Sequence, residues 1–463
     1  MKFERIKSNK KLLIHIIIFL ILGITIALAI SFAAYKKTTT INISEGTVNY
    51  IIPDMKIMAL KQFNSDANKY EDINAMPNGN DYAISSDSYC EVLGEKDENV
   101  KLYTNSNGEH VISNIQKNSR CYFYFVPTAK SLILANSTMG SGTPNFDNTS
   151  CTNGTNKDHN GNVTNCEEQT VGLYCWDVNT NTACTDTSVN KTYFYRGNVT
   201  DNYVEFLGFY WRIIRINENG SIRMIYSGDK FNVDTAGKET VLANGYNDSN
   251  TRLTYAAVDS TFHGTCDSQE CMNFENTVTL NDHLYDWYDN YIGMPGFDDY
   301  LDKESGFCSD RSGYVYADGS DGYYIYNYGA YDRLLYTTNP TPKFSCLNSY
   351  LYTVSGSGIG NGLLFAPIGL ITADEASFAG SAGSNTGNRS FYLYSGLETG
   401  TMSPCQYDDN DDGMAFCYLL EYGELADYSP GMNMSIRPVI NLKGNIPLTG
   451  LGTIQEPYKV ILE

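Results

Sequence analysis

The chain has 463 residues, a formal net charge of −21, 42% apolar residues and 13% aromatic residues. That length exceeds one ordinary core, so two or three domains are expected. So acidic a chain argues against nucleic acid or anionic lipid as a partner, because both require cationic surface.

Residues 1–11 form a basic tail, expected in the cytosol. Residues 12–34 carry no Asp, Glu, Lys or Arg. A 23-residue stretch of this kind spans a hydrocarbon core of ~30 Å as a transmembrane helix. Lys2, Arg5, Lys7, Lys10 and Lys11 precede it, and Lys36 and Lys37 follow. This bias predicts a single-pass membrane protein, with its N-terminus cytosolic and its bulk extracellular. The alternative is a cleaved signal peptide, with small-residue sites at Ala27-Leu28-Ala29 and Ser31-Phe32-Ala33.

All 12 cysteines follow that stretch. An even count in an exported chain reads as disulfides. The simplest connectivity joins neighbours: Cys90 with Cys121, Cys151 with Cys166, Cys175 with Cys184, Cys266 with Cys271, Cys308 with Cys346, and Cys405 with Cys417. Zinc is the rival, but the chain has no CxxC and only five His.

Residues 38–127 alternate short apolar runs with Asn- and Gly-rich turns, which predicts a small immunoglobulin-like β-sandwich serving as a stalk. Residues 128–190 are Asn-, Thr- and Gly-rich and read as a loop-rich connection tied by two local disulfides. In the distal domain, 191–463, two β-branched and aromatic runs flank Asn217-Glu218-Asn219-Gly220, a hairpin signal within 209–227. A further apolar strand is expected at 436–442.

Two helices are predicted between them. Thr279 and Asp282 resemble a capping pair. Leu284, Trp287, Tyr288 and Tyr291 then share one helical face, and Gly293 and Pro295 end it. Thr372 and Glu375 form the second capping box, and Gly380 stops that helix.

Several stretches together resemble a family of uncharacterised surface proteins from gut Gram-positive bacteria. They include TYFYRGNVTDNYVEF (192–206), FYWRIIRINENGSIRMIYSG (209–228), GFCSDRSG (306–313), YGAYDRL (328–334), PIGLITADEASFAG (367–380), FYLYSG (391–396), TMSP (401–404) and RPVINLKG (437–444). That family is similar in turn to the C-type-lectin-like and formylglycine-generating-enzyme fold. The resemblance implies a mixed α/β, loop-rich distal domain whose first and last strands pair. It also implies a binding face between TMSP and the final strand, where Tyr407, Tyr418, Tyr422 and Tyr428 lie. Tyr gives contact area at low rotamer cost, as it does in antibody paratopes. The oxidase activity of the formylglycine-generating enzymes is not implied, because the cysteine context it needs is missing.

Residues 408–413 (DDNDDG) open like a calcium loop, D-x-N-x-D-G, with Asp408, Asn410 and Asp412 as oxygen ligands. The twelfth position is Leu419 rather than Glu, and Cys405 and Cys417 bracket the stretch. Calcium and a plain acidic loop closed by a disulfide both remain open. No His lies in an HExxH context and no Gly-x-Ser-x-Gly occurs. The expectation is a non-catalytic, membrane-anchored extracellular binding module for a glycan or protein ligand, its specificity set by residues 314–336 and 398–435. The alternatives are a structural cell-envelope protein without a discrete ligand, or an enzyme of the formylglycine-generating-like fold.

Overall fold

In the computed structural model, residues 55–146, 171–228 and 279–462 are described, apart from 65–66, 68, 106–107, 145, 318–323, 336, 338, 355, 357, 382, 384–387, 397, 409–412, 420–422 and 429–436. Short strands at 41–43, 156–157, 163–164, 232–233 and 239–240 are described as well. The chain divides into two compact units, residues up to 79 with 84–126, and residues 80–83 with 127–463.

The upstream unit contains two sheets. In the first, strand Lys56–Asn64 runs parallel to Arg120–Pro127, and Tyr89–Val92 runs antiparallel to Arg120–Pro127 on its other side. The Arg120–Pro127 strand alternates. Cys121, Phe123 and Phe125 are buried, whereas Tyr122 and Tyr124 are half-buried, as expected of a strand with one core-facing side. Its register sets Cys121 opposite Cys90, and the two are disulfide-bonded. The second sheet orders Ile41–Ile43, His110–Ser113 and Lys101–Thr104.

The distal unit is built around a ten-stranded sheet. Its centre is the predicted hairpin, strands Phe209–Ile216 and Ile222–Tyr226. The backbone N–H of Asn217 donates to the Ser221 carbonyl across the turn, and Gly220 takes φ 87° there. The expected C-terminal strand, Val439–Leu442, pairs antiparallel with Ile222–Tyr226, from Ile222↔Leu442 to Ile225↔Val439. Every residue of Ile222–Tyr226 is buried. A strand covered on both faces reads as an apolar run instead of an alternating one, and in this stretch only Arg223 breaks the run. Helix Thr279–Tyr288 continues as a π-helical turn, Asp289–Gly293. It buries Leu284, Trp287 and Tyr288 against the sheet, and Tyr291 stays 48% exposed while touching Phe209.

The sequence-based fold class needs correcting. The chain is mostly β-strand, with three α-helices among the described residues, the longest of ten residues. The distal unit is therefore not the mixed α/β domain implied by the resemblance. No helix among the described residues is long and apolar enough to cross a membrane. The 12–34 stretch and the 1–11 tail lie outside the described residues, and a single-pass membrane anchor is not supported. The stretch expected as a loop-rich connection also holds ordered elements. Helix Ala129–Asn136 and strand Gly172–Asp177 lie within it, and Gly172–Asp177 pairs with Lys191–Arg196 in the large sheet.

Four of the expected disulfides are present: Cys90–Cys121, Cys175–Cys184, Cys308–Cys346 and Cys405–Cys417. Cys151, Cys166, Cys266 and Cys271 lie outside the described residues. Disulfides persist in oxidising compartments, and these four fit an extracellular or secreted protein.

Candidate binding face

The distal unit carries a second sheet, of five antiparallel strands. Their order is Gly313–Ala317, Tyr324–Tyr328, Thr399–Asp408, Gly413–Leu419 and Leu425–Tyr428. Residues 314–336 and 398–435, expected as separate specificity loops, thus meet in one sheet, where Tyr326 pairs with Tyr407 and Asn327 with Gln406. The first stretch is a hairpin and not a loop. GYVYA and YIYNY are runs of aromatic and β-branched residues, which favour a pleated strand over an irregular segment.

Register assigns positions to the two faces of this sheet. Cys417, Leu419 and Leu425 are buried in the main core, as are Leu334 and Leu335 from the π-helical turn Tyr331–Leu335. Asn327 and Gln406 share the face of Cys417, and Gln406 Nε2 donates to Asn327 Oδ1 at 3.1 Å. Alternation then puts positions 414, 416 and 418 on the opposite face. Tyr407 pairs with Met414 there, and Phe416 pairs with Tyr428. Three of the four sequence-predicted ligand residues, Tyr407, Tyr418 and Tyr428, therefore occupy one face of one sheet. Tyr422 lies outside the described residues. At the far end of its strand Tyr328 is buried in the core, which bounds this face on that side.

The Cys405–Cys417 bond ties the two long strands of this sheet beside a β-bulge at Cys405. Asp408 pairs with Gly413 at the end of the same hairpin, on the face opposite Tyr407. Asn410 and Asp412 lie outside the described residues, so the expected calcium loop does too. Among the described residues no group of three His, Cys, Asp or Glu is placed to hold a metal ion.

Beneath the sheet, helix Ala373–Ala379 acts as its mount. All seven of its residues are buried, Asp374 and Glu375 included. The predicted capping box is formed: Thr372 Oγ1 accepts from the Glu375 N–H at 3.1 Å, and Glu375 Oε2 accepts from the Thr372 N–H at 3.0 Å. Arg333 grips Asp374 with two bonds, Nε to Oδ1 at 2.7 Å and Nη2 to Oδ2 at 2.6 Å. Its Nη1 donates to Asp310 at 2.9 Å, and Lys343 sits 2.9 Å from the same carboxylate. Arg215 and Arg223 both pair with Glu375. At the other end of the helix, Arg196 donates to the Ser377 and Phe378 carbonyls at 2.8 Å.

The electrostatics of this cluster follow from its pairing. Burial alone would raise the Asp310 carboxyl. The Ser312 hydrogen bond with the Arg333 and Lys343 charges instead holds it below the usual range. Burial pushes Glu375 up in the same way, and Arg223 and Arg215 hold it down. The groups leave a cavity of about 30 Å³ between them, enough for a water molecule or two and for no substrate. Chemically this is a closed ion-pair network that fixes the helix and, through it, the sheet.

Sequence reasoning assigned no role to Asp310, Arg333 or the buried arginines. A signal was present, since Arg196, Arg212, Arg223 and Arg437 each interrupt a run of apolar residues. A charge inside a buried strand must find hydrogen-bond partners. Arg437 Nη1 reaches the Leu393 carbonyl at 2.9 Å, and Arg212 Nη2 reaches that of Val199 at 2.8 Å. No family model, curated protein or solved structure matches this chain.

Proposed function

We propose that this protein is an extracellular binding module whose five-stranded sheet presents a Tyr-rich face to a glycan or protein ligand. The observation that supports this reading is the register that brings Tyr407, Tyr418 and Tyr428 to one face of a disulfide-tied sheet. Aromatic residues on a rigid platform lose little entropy on binding, and they form the anchors of many recognition surfaces. The buried network beneath holds the platform in place, so the face is pre-organised. Around the helix, the buried Asp374 and Glu375 carboxylates pair with arginines, which fixes the mount of the proposed face.

The test is binding of the purified chain to a glycan array and to mucin, with calcium and again with a chelator. Saturable binding is expected. The chelator arm reads whether binding needs calcium, as the expected ligands Asp408, Asn410 and Asp412 require. Absence of saturable binding on either surface would sink the reading and leave an envelope component without a discrete ligand.

A further inference from the structure

An open groove lies in the upstream unit, the part expected to act only as a stalk. It has a volume of about 360 Å³, within the ~300–1,000 Å³ typical of small-molecule sites. It is bounded by strand Tyr89–Val92 with the hairpin that follows it, and by strand Lys101–Thr104. The second of these is the edge of its three-stranded sheet.

The walls are fixed by bonds that leave other groups available. Cys90 is tied to Cys121. Ser88 Oγ donates to the Tyr124 carbonyl and accepts from the Tyr124 N–H, which locks the wall to the central strand. Asp97 accepts from the Asn99 N–H and from Gln116 Nε2. Tyr89 stacks on Tyr122 at 4.7 Å with the rings 17° apart. By contrast, Ser86 and Lys101 are exposed and their side chains make no hydrogen bond or ion pair among the described residues, and Tyr103 is 47% exposed. Lys96 and Glu98, both lining the groove, form a loose, exposed pair at 3.4 Å.

Charge narrows the ligand class. Lys96 and Lys101 balance Asp97 and Glu98 along the groove, although the chain as a whole carries −21. A balanced groove offers a phosphate no excess of cations and offers a cation no excess of carboxylates. Its lining mixes polar with apolar side chains and stays open, so it does not enclose a wholly apolar ligand. What remains is a neutral ligand rich in hydroxyls, each able both to donate and to accept. A sugar ring also presents a C–H face that packs on a phenol ring, and Tyr combines that apolar face with a polar tip.

We propose that this groove is a second binding site, separate from the Tyr-rich sheet, and that it takes a neutral saccharide. Tyr103 supplies the stacking surface, while Ser86, Lys101 and Glu98 supply the hydrogen bonds.

The full chain would be screened against an array of neutral and acidic saccharides as wild type, Tyr103→Ala, Lys101→Ala and Tyr407→Ala. At least one neutral saccharide should bind about tenfold more weakly to Tyr103→Ala and as well to Tyr407→Ala as to wild type. Its affinity should stay nearly constant between about 50 and about 500 mM salt, because a neutral ligand makes no screened ion pair. Tyr103 is half-exposed on an edge strand, so the variant should melt with the wild type. If it does not, Lys101→Ala carries the same test. The proposal is overturned if no neutral saccharide is weakened by the groove variants, or if the groove-dependent ligands are all charged and salt-sensitive. Because Tyr407→Ala reports on the sheet alone, loss of one site is distinguishable from loss of the other.

Discussion

Glu375 sits where three segments of the distal unit meet. It closes the capping box of its own helix and neutralises Arg215 and Arg223 from the central hairpin. Glu375→Gln keeps the shape and removes the charge, leaving the fully buried Arg223 guanidinium without its counter-charge, while Arg215 keeps Glu218 at 3.0 Å. Breaking a buried pair in this way costs about 3–5 kcal/mol, and chemical denaturation should report a loss of that size. Acid acts on the same groups. The carboxyls of Asp310 and Glu375 titrate below their ordinary values in the folded state, so the unfolded chain takes up protons first as pH falls. Their stabilisation is complete at neutral pH and should decline as pH drops below about 4.5. A series of melts across that range should show the midpoint falling with pH. Gly444 makes a third residue-scale case. A Cβ there would collide with the Gly220 carbonyl oxygen, where the end of the last central strand passes the hairpin turn. Gly444→Ala should cost about 1–3 kcal/mol through overpacking, read by the same denaturation.

At the level of elements, the Thr399–Asp408 and Gly413–Leu419 hairpin depends on its disulfide. Cys405 and Cys417 are 12 residues apart, and opening a loop of that length removes about 3 kcal/mol. The double variant Cys405→Ser, Cys417→Ser should lose that much stability, and with it ligand binding at the Tyr-rich face. Elements with a strong local signal were legible in the sequence. The central hairpin announces itself through Asn-Gly between β-branched runs. The helix at 373–379 does so through Thr372, Glu375 and Gly380. The neighbour pairing of cysteines is also readable, at separations of 9 and 12 residues and at 31 and 38 alike. The hairpin of Gly313–Ala317 and Tyr324–Tyr328 was not legible, because its Tyr content suits a binding loop as well as a strand. The residues that mount the sheet were harder still. Arg333 and Asp374 lie 41 positions apart, and nothing local to either announces the other.

For the whole molecule, charge and cysteine chemistry were readable from composition, whereas the arrangement of the sheets was not. The resemblance implied a mixed α/β distal domain. What forms is a ten-stranded and a five-stranded sheet with short helices between. The difference has a physical origin. Long-range pairings such as Ile222 with Leu442 and Tyr326 with Tyr407 decide the sheet, and no window of sequence contains both partners. The same pairings create the proposed site, since they bring residues 314–328 beside 399–419. The proposed function rests on this sheet face holding the ligand. Its most direct test is the affinity of a variant carrying Tyr407→Ala, Tyr418→Ala and Tyr428→Ala for whichever array or mucin ligand the wild type binds. Affinity should fall by at least about tenfold, since aromatic anchors dominate such interfaces, with the melting temperature close to that of the wild type. Unchanged affinity in a folded triple variant would contradict the account.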